Sequence, residues 1–323
     1  MRAIVQHRYG GPEVLRLEEV EPPAIPDDRV LVRVKAASVN ALDWHMMRGK
    51  PFLARIGEGW RSPKAAIRGV DLAGVVEAVG SAVTRFKPGD EVFGSGAGTF
   101  AELARARESS LAPKPAGLSF EEAASVPVAG RTALIGLRDK GGVRAGQRVL
   151  VEGAGGGVGT FAVQIARALG AEVTAVTRTA NLELVRSLGA ARVLDHQRDD
   201  LAQDPARYDV VYDVGGFRPI AELARAVVPG GIVVLCGAGA NAAGWIGPLP
   251  RIVVPRLRPR IGGVRIVFYV ASLQLDDLLE LARLVEAGEL RPVIDRTYGL
   301  EDAAEAMRHV EDGRARGKVA ITV

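Results

Sequence analysis

Apolar positions along this chain follow two rhythms. Before residue 125 they come as short runs rich in β-branched residues, such as Val30-Leu31-Val32-Arg33-Val34 and Val75-Val76-Glu77-Ala78-Val79. Turn formers punctuate these runs at Gly10-Gly11-Pro12, Pro22-Pro23, Pro26-Asp27-Asp28 and Lys87-Pro88-Gly89-Asp90. Such spacing predicts strands. From Glu121 the rhythm changes. Strand-like segments at 148–152, 172–176, 192–195, 209–213 and 231–235 alternate with helical patterns at 157–170, 180–188 and 218–227. Alternation of this kind predicts βαβ units, hence a parallel sheet covered by helices on both faces. A strand at 265–270 is expected to end that sheet, exposed at its edge, and a helix near 275–287 follows. The strand-like stretch 318–323 returns to the first rhythm. The predicted architecture is α/β: a doubly wound parallel sheet over residues 125–271, inserted into a β-rich domain formed by 1–124 and 272–323.

The strongest local pattern lies where the second rhythm begins. The run Val149-Leu150-Val151-Glu152 leads into Gly153-Ala154-Gly155-Gly156-Gly157-Val158-Gly159, and an apolar helical pattern follows through Phe161, Val163, Ile165, Ala166 and Leu169. Strand, glycine turn and helix in that order form the context a dinucleotide fingerprint requires. Backbone N–H groups at such a turn, backed by the positive end of a helix dipole, suit a pyrophosphate. Ala154, Gly156, Gly157, Val158 and Gly159 are the candidate cofactor contacts of this turn. Glu152 sits awkwardly beside it, because an acid near a pyrophosphate costs affinity unless it points away or meets a cation.

In such folds the end of the second strand meets the adenosine ribose. An acid there binds the 2′-hydroxyl of NAD, whereas an arginine suits the 2′-phosphate of NADP. Here that strand runs Ala175-Val176-Thr177-Arg178-Thr179-Ala180-Asn181, with no acid at its end. Thr177 and Arg178 therefore point to NADPH, since guanidinium and phosphate pair through two charge-assisted hydrogen bonds.

Composition narrows the remaining classes. The 323 residues carry 42 Lys and Arg against 38 Asp and Glu, a net charge of +4, too small to argue for nucleic acid. There is neither an apolar run long enough for a membrane span nor an apolar core near Met1 of the secretory kind, so a cytoplasmic setting is expected. The single cysteine, Cys236, excludes an intrachain disulfide and a multi-cysteine zinc site, and reads as a small apolar residue rather than a nucleophile. Arg251, Arg256, Arg258, Arg260 and Arg265 form a basic stretch read as a solvated surface, with an anion-facing loop as the alternative.

Several segments together resemble the medium-chain dehydrogenase/reductase superfamily, and most closely its zinc-free quinone oxidoreductase-like branch. They are Ala37-Ser38-Val39-Asn40-Ala41-Leu42-Asp43-Trp44, Gly69-Val70-Asp71-Leu72-Ala73-Gly74 continuing to Gly80, Phe86-Lys87-Pro88-Gly89-Asp90-Glu91-Val92-Phe93-Gly94, the glycine turn, and Arg316-Gly317-Lys318-Val319. The resemblance implies a GroES-like catalytic domain beside a Rossmann domain, with nicotinamide and substrate in the cleft between them. Zinc-dependent members carry a Cys where this chain has Asn40 and a His-Glu pair where it has Val70-Asp71. Val cannot ligate a metal and a lone Asp is no site, so no metal is expected.

The resemblance also implies roles for individual residues. Asn40 matches the branch's active-site Asn, a donor to substrate or nicotinamide; a backbone-capping role in a turn is its alternative. His45 falls where quinone reductases carry a Tyr and is a candidate proton donor, with a structural role as the alternative. Trp44 either walls the acceptor pocket or packs. Asp43 is expected to be structural, paired with Arg48. Thr132 matches a Thr near the nicotinamide, although the preceding Arg131 stands where relatives carry Leu. His196 lies where a Tyr approaches the 2′-phosphate. Lys318 is a further phosphate candidate, and Gly237 is expected near the nicotinamide ribose.

These readings converge on an NADPH-dependent reductase of enones, enals or quinones. Two alternatives stay open: a biosynthetic enoyl reductase acting on a polyketide-like intermediate, and an NADPH-binding protein with little turnover. The apolar strand at 265–270 points to a homodimer, because a monomer should not leave such an edge bare.

Overall fold

The computed structural model describes residues 1–50, 52, 55–201, 203–204, 207–236, 249–272 and 274–323. In chain order the first strands are β1 (Arg2–Gln6), β2 (Leu15–Glu19) and β3 (Arg29–Val39). Helices α1 (Ala41–Arg48) and α2 (Arg55–Glu58) precede β4 (Asp71–Val79), β5 (Glu91–Ala97) and β6 (Leu103–Pro113). Helices α3 (Phe120–Ala124) and α4 (Pro127–Leu134) lead into the alternating region. There β7 (Arg148–Glu152), α5 (Gly157–Ala168), β8 (Glu172–Thr177), α6 (Leu182–Ser187), β9 (Arg192–Asp195), β10 (Tyr208–Asp213), α7 (Ile220–Arg225) and β11 (Val227–Leu235) succeed one another. Then come α8 (Leu249–Leu257), β12 (Arg260–Ile261), β13 (Val264–Phe268), α9 (Leu275–Glu286), β14 (Ile294–Gly299), α10 (Ala303–Glu311) and β15 (Lys318–Thr322). Among the described residues no helix is long and apolar enough to cross a membrane.

The chain divides into two compact units. The first comprises Met1–Arg131, Leu273–Gly288 and Pro292–Val323; the second comprises Thr132–Ser272 and Glu289–Arg291. In the first unit a sheet runs in the order β14-β15-β3-β4-β5-β6, and an additional β3–β6 pairing closes its last four strands on themselves. Alternation along β3 turns Val30, Val32 and Val34 into the core while Arg33 and Lys35 face out. Register shifts at Leu31/Val32 and Val34/Ala36 bend the strand, which pairs with three others, β4, β6 and β15. β15 pairs antiparallel with β3, Val319 against Val39, and so brings Lys318 to the end of β3.

The second unit is a sheet of order β12-β13-β11-β10-β7-β8-β9, parallel except for the β12–β13 pair. From β9 to β13 this is the dinucleotide-binding order 3-2-1-4-5-6. β7 is central and fully buried in its middle, and α5 buries eight of its residues, including Phe161, Val163 and Ile165. Two differences from expectation follow from local chemistry. β11 begins at Val227, four residues early, because Val227-Val228 favours a strand over a continued helix. β13 is not the bare edge: β12 folds back beside it through a turn at Gly262 and Gly263, both at positive φ.

Candidate functional site

Each unit holds part of the candidate machinery. In the second unit the glycine turn begins with Gly153 at φ 79°, a conformation that favours glycine. A Cβ on Gly159 would overlap the Gly153 carbonyl, and one on Gly155 would overlap Asn181 and Thr177, so the helix start packs tightly against the turn and β8. Gly156 faces outward, where a Cβ would have only Gly153 O nearby, at 3.5 Å. The N–H groups of Gly153 and Ala154 both donate to Val176 O, at 3.2 and 3.0 Å, and Gly156 N–H donates to Gly153 O at 3.2 Å. Ala154, expected to contact the cofactor, is instead fully buried with its amide spent on the sheet, so its part is to shape the turn. The amides of Gly157, Val158 and Gly159, in the first turn of α5, have no intrahelical acceptor by geometry. This is a cradle that fits a pyrophosphate.

Beside the cradle, Thr177 is buried at the end of β8 and Arg178 is exposed immediately after it. His196 is exposed too, and both its backbone N–H and its Nδ1 lie against Thr177 O, at 2.9 and 3.2 Å. An acid does approach here, but from β9: Asp195 accepts the Thr179 hydroxyl at 2.5 Å and the Gln197 N–H at 3.0 Å. Those bonds hold its carboxyl below the usual carboxylate range, the Thr179 hydroxyl contributing most.

The strand ends explain Glu152. Arg218, in the loop after β10, reaches back to the Glu152 carboxylate and also pairs with Glu222. Burial raises the Glu152 carboxyl above its ordinary range, and Arg218 opposes that shift. Of the basic stretch, Arg251 is buried: it pairs with Asp213 and donates to the Gly216 and Arg218 carbonyls at 3.3 and 3.2 Å. Arg256, Arg258, Arg260 and Arg265 are exposed, as a solvated surface requires. Tyr212 and Tyr269 lie 2.8 Å apart through their hydroxyls, and both reach the Thr132 carbonyl. Desolvation pushes the Cys236 thiol, next to them, up to about 11, which suits packing and not thiolate chemistry.

In the first unit the site is a buried polar hub around Asp71. Its carboxylate accepts Asn40 Nδ2 at 2.8 Å, Ser38 Oγ at 3.2 Å and the Val128 N–H at 3.1 Å. Lys318 Nζ stands 3.7 Å from it and donates to Asn40 Oδ1 at 2.6 Å and Val39 O at 3.3 Å. Burial pushes Asp71 up and Lys318 down, and each is the main group opposing the other's shift. Lys318, expected at a phosphate, is thus placed elsewhere: the residue is 3% exposed and its ammonium is committed to Asn40 and Asp71. Arg131 is fully buried as well; burial disfavours its charge, and Asp71 and Asp277 counter that effect.

Asn40 both caps α1 and belongs to this hub. Asp43, in the first turn, accepts the Asn40 N–H at 2.7 Å, and burial pushes its carboxyl up to about 7. Asp43 is not paired with Arg48, which binds Glu311 on α10 instead. His45 stacks on Trp44 with ring centroids 3.6 Å apart, and Trp44 packs against the core of this unit. Burial lowers the His45 pKa, so the imidazolium that the proton-donor role needs is the disfavoured form. Gly237 lies outside the described residues. Among the described residues no group of three or more His, Cys, Asp or Glu could hold a metal ion.

Comparison with known proteins places this arrangement. A model described as an alcohol dehydrogenase GroES-like domain matches residues 26–116, and one described as a zinc-binding dehydrogenase matches 188–321. The 2-methylene-furan-3-one reductase of Solanum lycopersicum is 35% identical, over 99% of this chain and 79% of its own length. The chloroplastic NADPH-dependent alkenal/one oxidoreductase of Arabidopsis thaliana is 34% identical, with the same coverage of 99% and 79%. The solved quinone oxidoreductase of Coxiella burnetii superposes with a TM-score of 0.87 at 28% identity, covering 100% of this chain and 99% of that one. The chain belongs to the medium-chain dehydrogenase/reductase superfamily, in its quinone oxidoreductase-like branch.

For a medium-chain oxidoreductase, the residues that sequence reasoning missed are instructive. Arg218, Asp195, Tyr212 and Tyr269 lie in no motif, and Arg251, read as part of a solvated basic stretch, is instead the buried partner of Asp213. Only the unexplained acid Glu152 signalled that a cation had to come from elsewhere. The Asn40–Lys318 bond joins residues 278 apart and has no local signal at all.

Proposed function

We propose that this enzyme is a zinc-independent, NADPH-dependent reductase that saturates the carbon–carbon double bond of enones and enals, or reduces quinones. The observation that carries the reading is the occupancy of Asp71. Its oxygens already serve Asn40, Ser38 and Val128, with the Lys318 ammonium beside them. The buried positive charge of this site is supplied by a lysine, and Val70 and Asn40 replace two residues of the metal-ligand pattern. Without a Lewis acid on the oxygen, the favoured acceptor is one whose reduced form spreads its charge, as an enolate or hydroquinone anion does. A hydrogen-bond donor is enough for such an oxygen.

The names of the two plant relatives, a methylene-furanone reductase and an alkenal/one oxidoreductase, denote this acceptor class and support the reading. Gly157, Val158 and Gly159 would hold the pyrophosphate, with Thr177, Arg178 and His196 at the adenosine ribose and Thr132 near the nicotinamide. The bound dinucleotide supplies a hydride. Asn40 has two amide hydrogens and gives one to Asp71, leaving the other for the acceptor oxygen. The proton for the α-carbon comes from water in this reading, since burial disfavours the His45 imidazolium.

The working form in this reading is a cytoplasmic homodimer: among the described residues β12 pairs with Val264 and Arg265 of β13, and Val267 and Phe268 beyond them are offered to a second copy. A single-chain mass in sedimentation would overturn that assignment. The chemistry is tested by NADPH deuterated at the transferred position. Label on the β-carbon of an enone product supports the proposal, and label on a carbinol carbon refutes it.

A further inference from the structure

Asn40 is held more completely than a donor residue needs for packing alone. Its backbone N–H goes to Asp43 Oδ2 and its carbonyl accepts the Asp43 N–H, at 2.7 and 3.0 Å. Its side chain lies between a group that can only donate and one that, ionised, can only accept. Lys318 Nζ has no lone pair to offer, so the amide atom 2.6 Å from it must be oxygen. The carboxylate of Asp71 has no proton to give, so the amide atom 2.8 Å from it must be nitrogen. The two contacts therefore fix which way the amide plane is turned. Turning it over would set Nδ2 against an ammonium and Oδ1 against a carboxylate, both repulsive in a buried setting.

We infer that Lys318 is a positioning residue for the reductase reaction, locking the Asn40 amide so that its second Nδ2–H is presented in one orientation. A cation bonded to Oδ1 also draws electron density from the amide and makes that remaining N–H a stronger donor. The acceptor class is one with a single oxygen that becomes anionic during reduction. Lys318 itself touches neither substrate nor cofactor in this role. The inference rests on the proposed reading of Asn40 as the donor.

The test separates the lock from that reading. Lys318→Met alone leaves Asp71 buried without its cation and is expected to fold poorly, so the informative variant is Lys318→Met/Asp71→Asn. It removes both charges and keeps a carbonyl acceptor for Asn40. Two readouts are taken: kcat for enone reduction, and the side-chain amide resonances of Asn40 in protein labelled with 15N-asparagine. The double variant leaves Arg131 with Asp277 alone as counter-charge and so is expected to melt below the wild type but above Lys318→Met, and, measured where it is fully folded, to lose roughly tenfold in kcat, a part of the ~100-fold that deleting a transition-state donor costs. Its Asn40 amide pair should collapse from two well-separated proton shifts toward the exposed-amide values. Lys318→Arg, which keeps a donor on Oδ1, should restore most of kcat. Unchanged Asn40 resonances together with wild-type kcat in the double variant would overturn the lock. If the resonances change but Asn40→Ala reduces enones at the wild-type rate, the lock stands and the donor reading falls.

Discussion

Glu152 and Asp213 are register partners at the carboxyl ends of adjacent parallel strands, and each is held by its own arginine. Both arginines come from beyond β10, Arg218 from the loop that follows it and Arg251 from α8. Two acids side by side at the end of the sheet that bears the glycine turn would repel a dinucleotide if left bare. Paired, they pin the loop after β10 instead.

Removing Arg218 should expose that design. Arg218→Ala leaves a buried carboxylate without its cation, and breaking such a pair costs about 3 kcal/mol. Glu152 already has a raised pKa, and without Arg218 it rises further. A folded-state carboxyl raised above its unfolded value contributes stability at low pH that is lost as pH climbs through the folded value. The variant should therefore lag furthest behind the wild type at pH 8 and recover toward pH 5. Urea unfolding at both values checks this, and Glu152→Gln/Arg218→Ala should flatten the difference.

Cofactor choice should follow Arg178. Arg178→Leu is expected to lower kcat/KM for NADPH by roughly 10–100-fold, the worth of a charge-assisted phosphate contact. NADH should be nearly unaffected. Steady-state kinetics with both cofactors decides, and an intact preference for NADPH would remove Arg178 from the site.

A second pH effect belongs to Asp43. Its carboxyl is pushed up to about 7 by burial, so the stability it contributes in acid is lost as pH rises toward and through neutrality. Asp43→Asn can still accept the Asn40 N–H. Its melting temperature relative to the wild type should therefore climb between pH 5 and pH 8. A constant difference across that range would place the proton on another group.

Activity should survive metal removal. Prolonged treatment with a strong chelator, followed by metal analysis and assay, is expected to leave kcat within about twofold, since neither Asn40 nor Val70 is a zinc ligand type here. Loss of turnover that added zinc restores would contradict the role assigned to Lys318.

Tyr212 and Tyr269 should matter through Thr132. Tyr269→Phe removes one buried hydroxyl from the Thr132 carbonyl, at a cost of about 1–2 kcal/mol in stability. A rise in KM for NADPH larger than the fall in kcat is expected if Thr132 positions the nicotinamide. Equal effects on both would argue for packing alone.

What the sequence disclosed was the local part. β7 and β9 fall on the expected residues because β-branched runs bounded by turn formers carry their own boundaries. The glycine turn was legible for the same reason: its conformation depends on neighbours in sequence. Arg48 shows the opposite case. Its nearest acid in sequence, Asp43, is buried and bonded to Asn40, so Arg48 pairs with Glu311, 263 residues away. Lys318 was legible as a cation but not as a partner of Asn40, because the β15–β3 pairing that joins them is set by the whole sheet. Helix α7 stops at Arg225 where a longer helix was expected, since Val227 is already paired with Tyr208 in the sheet.

The distance along the chain between Asn40 and Lys318 also sets an order of events during synthesis. Nearly all of the second unit, Thr132–Ser272, emerges as one stretch before β15 exists. At typical elongation rates the 278 residues between Asn40 and Lys318 take on the order of tens of seconds to make. The glycine-turn cradle can thus be complete while Asn40 still waits for its lysine, so under the proposed function the dinucleotide site precedes the acceptor site during synthesis.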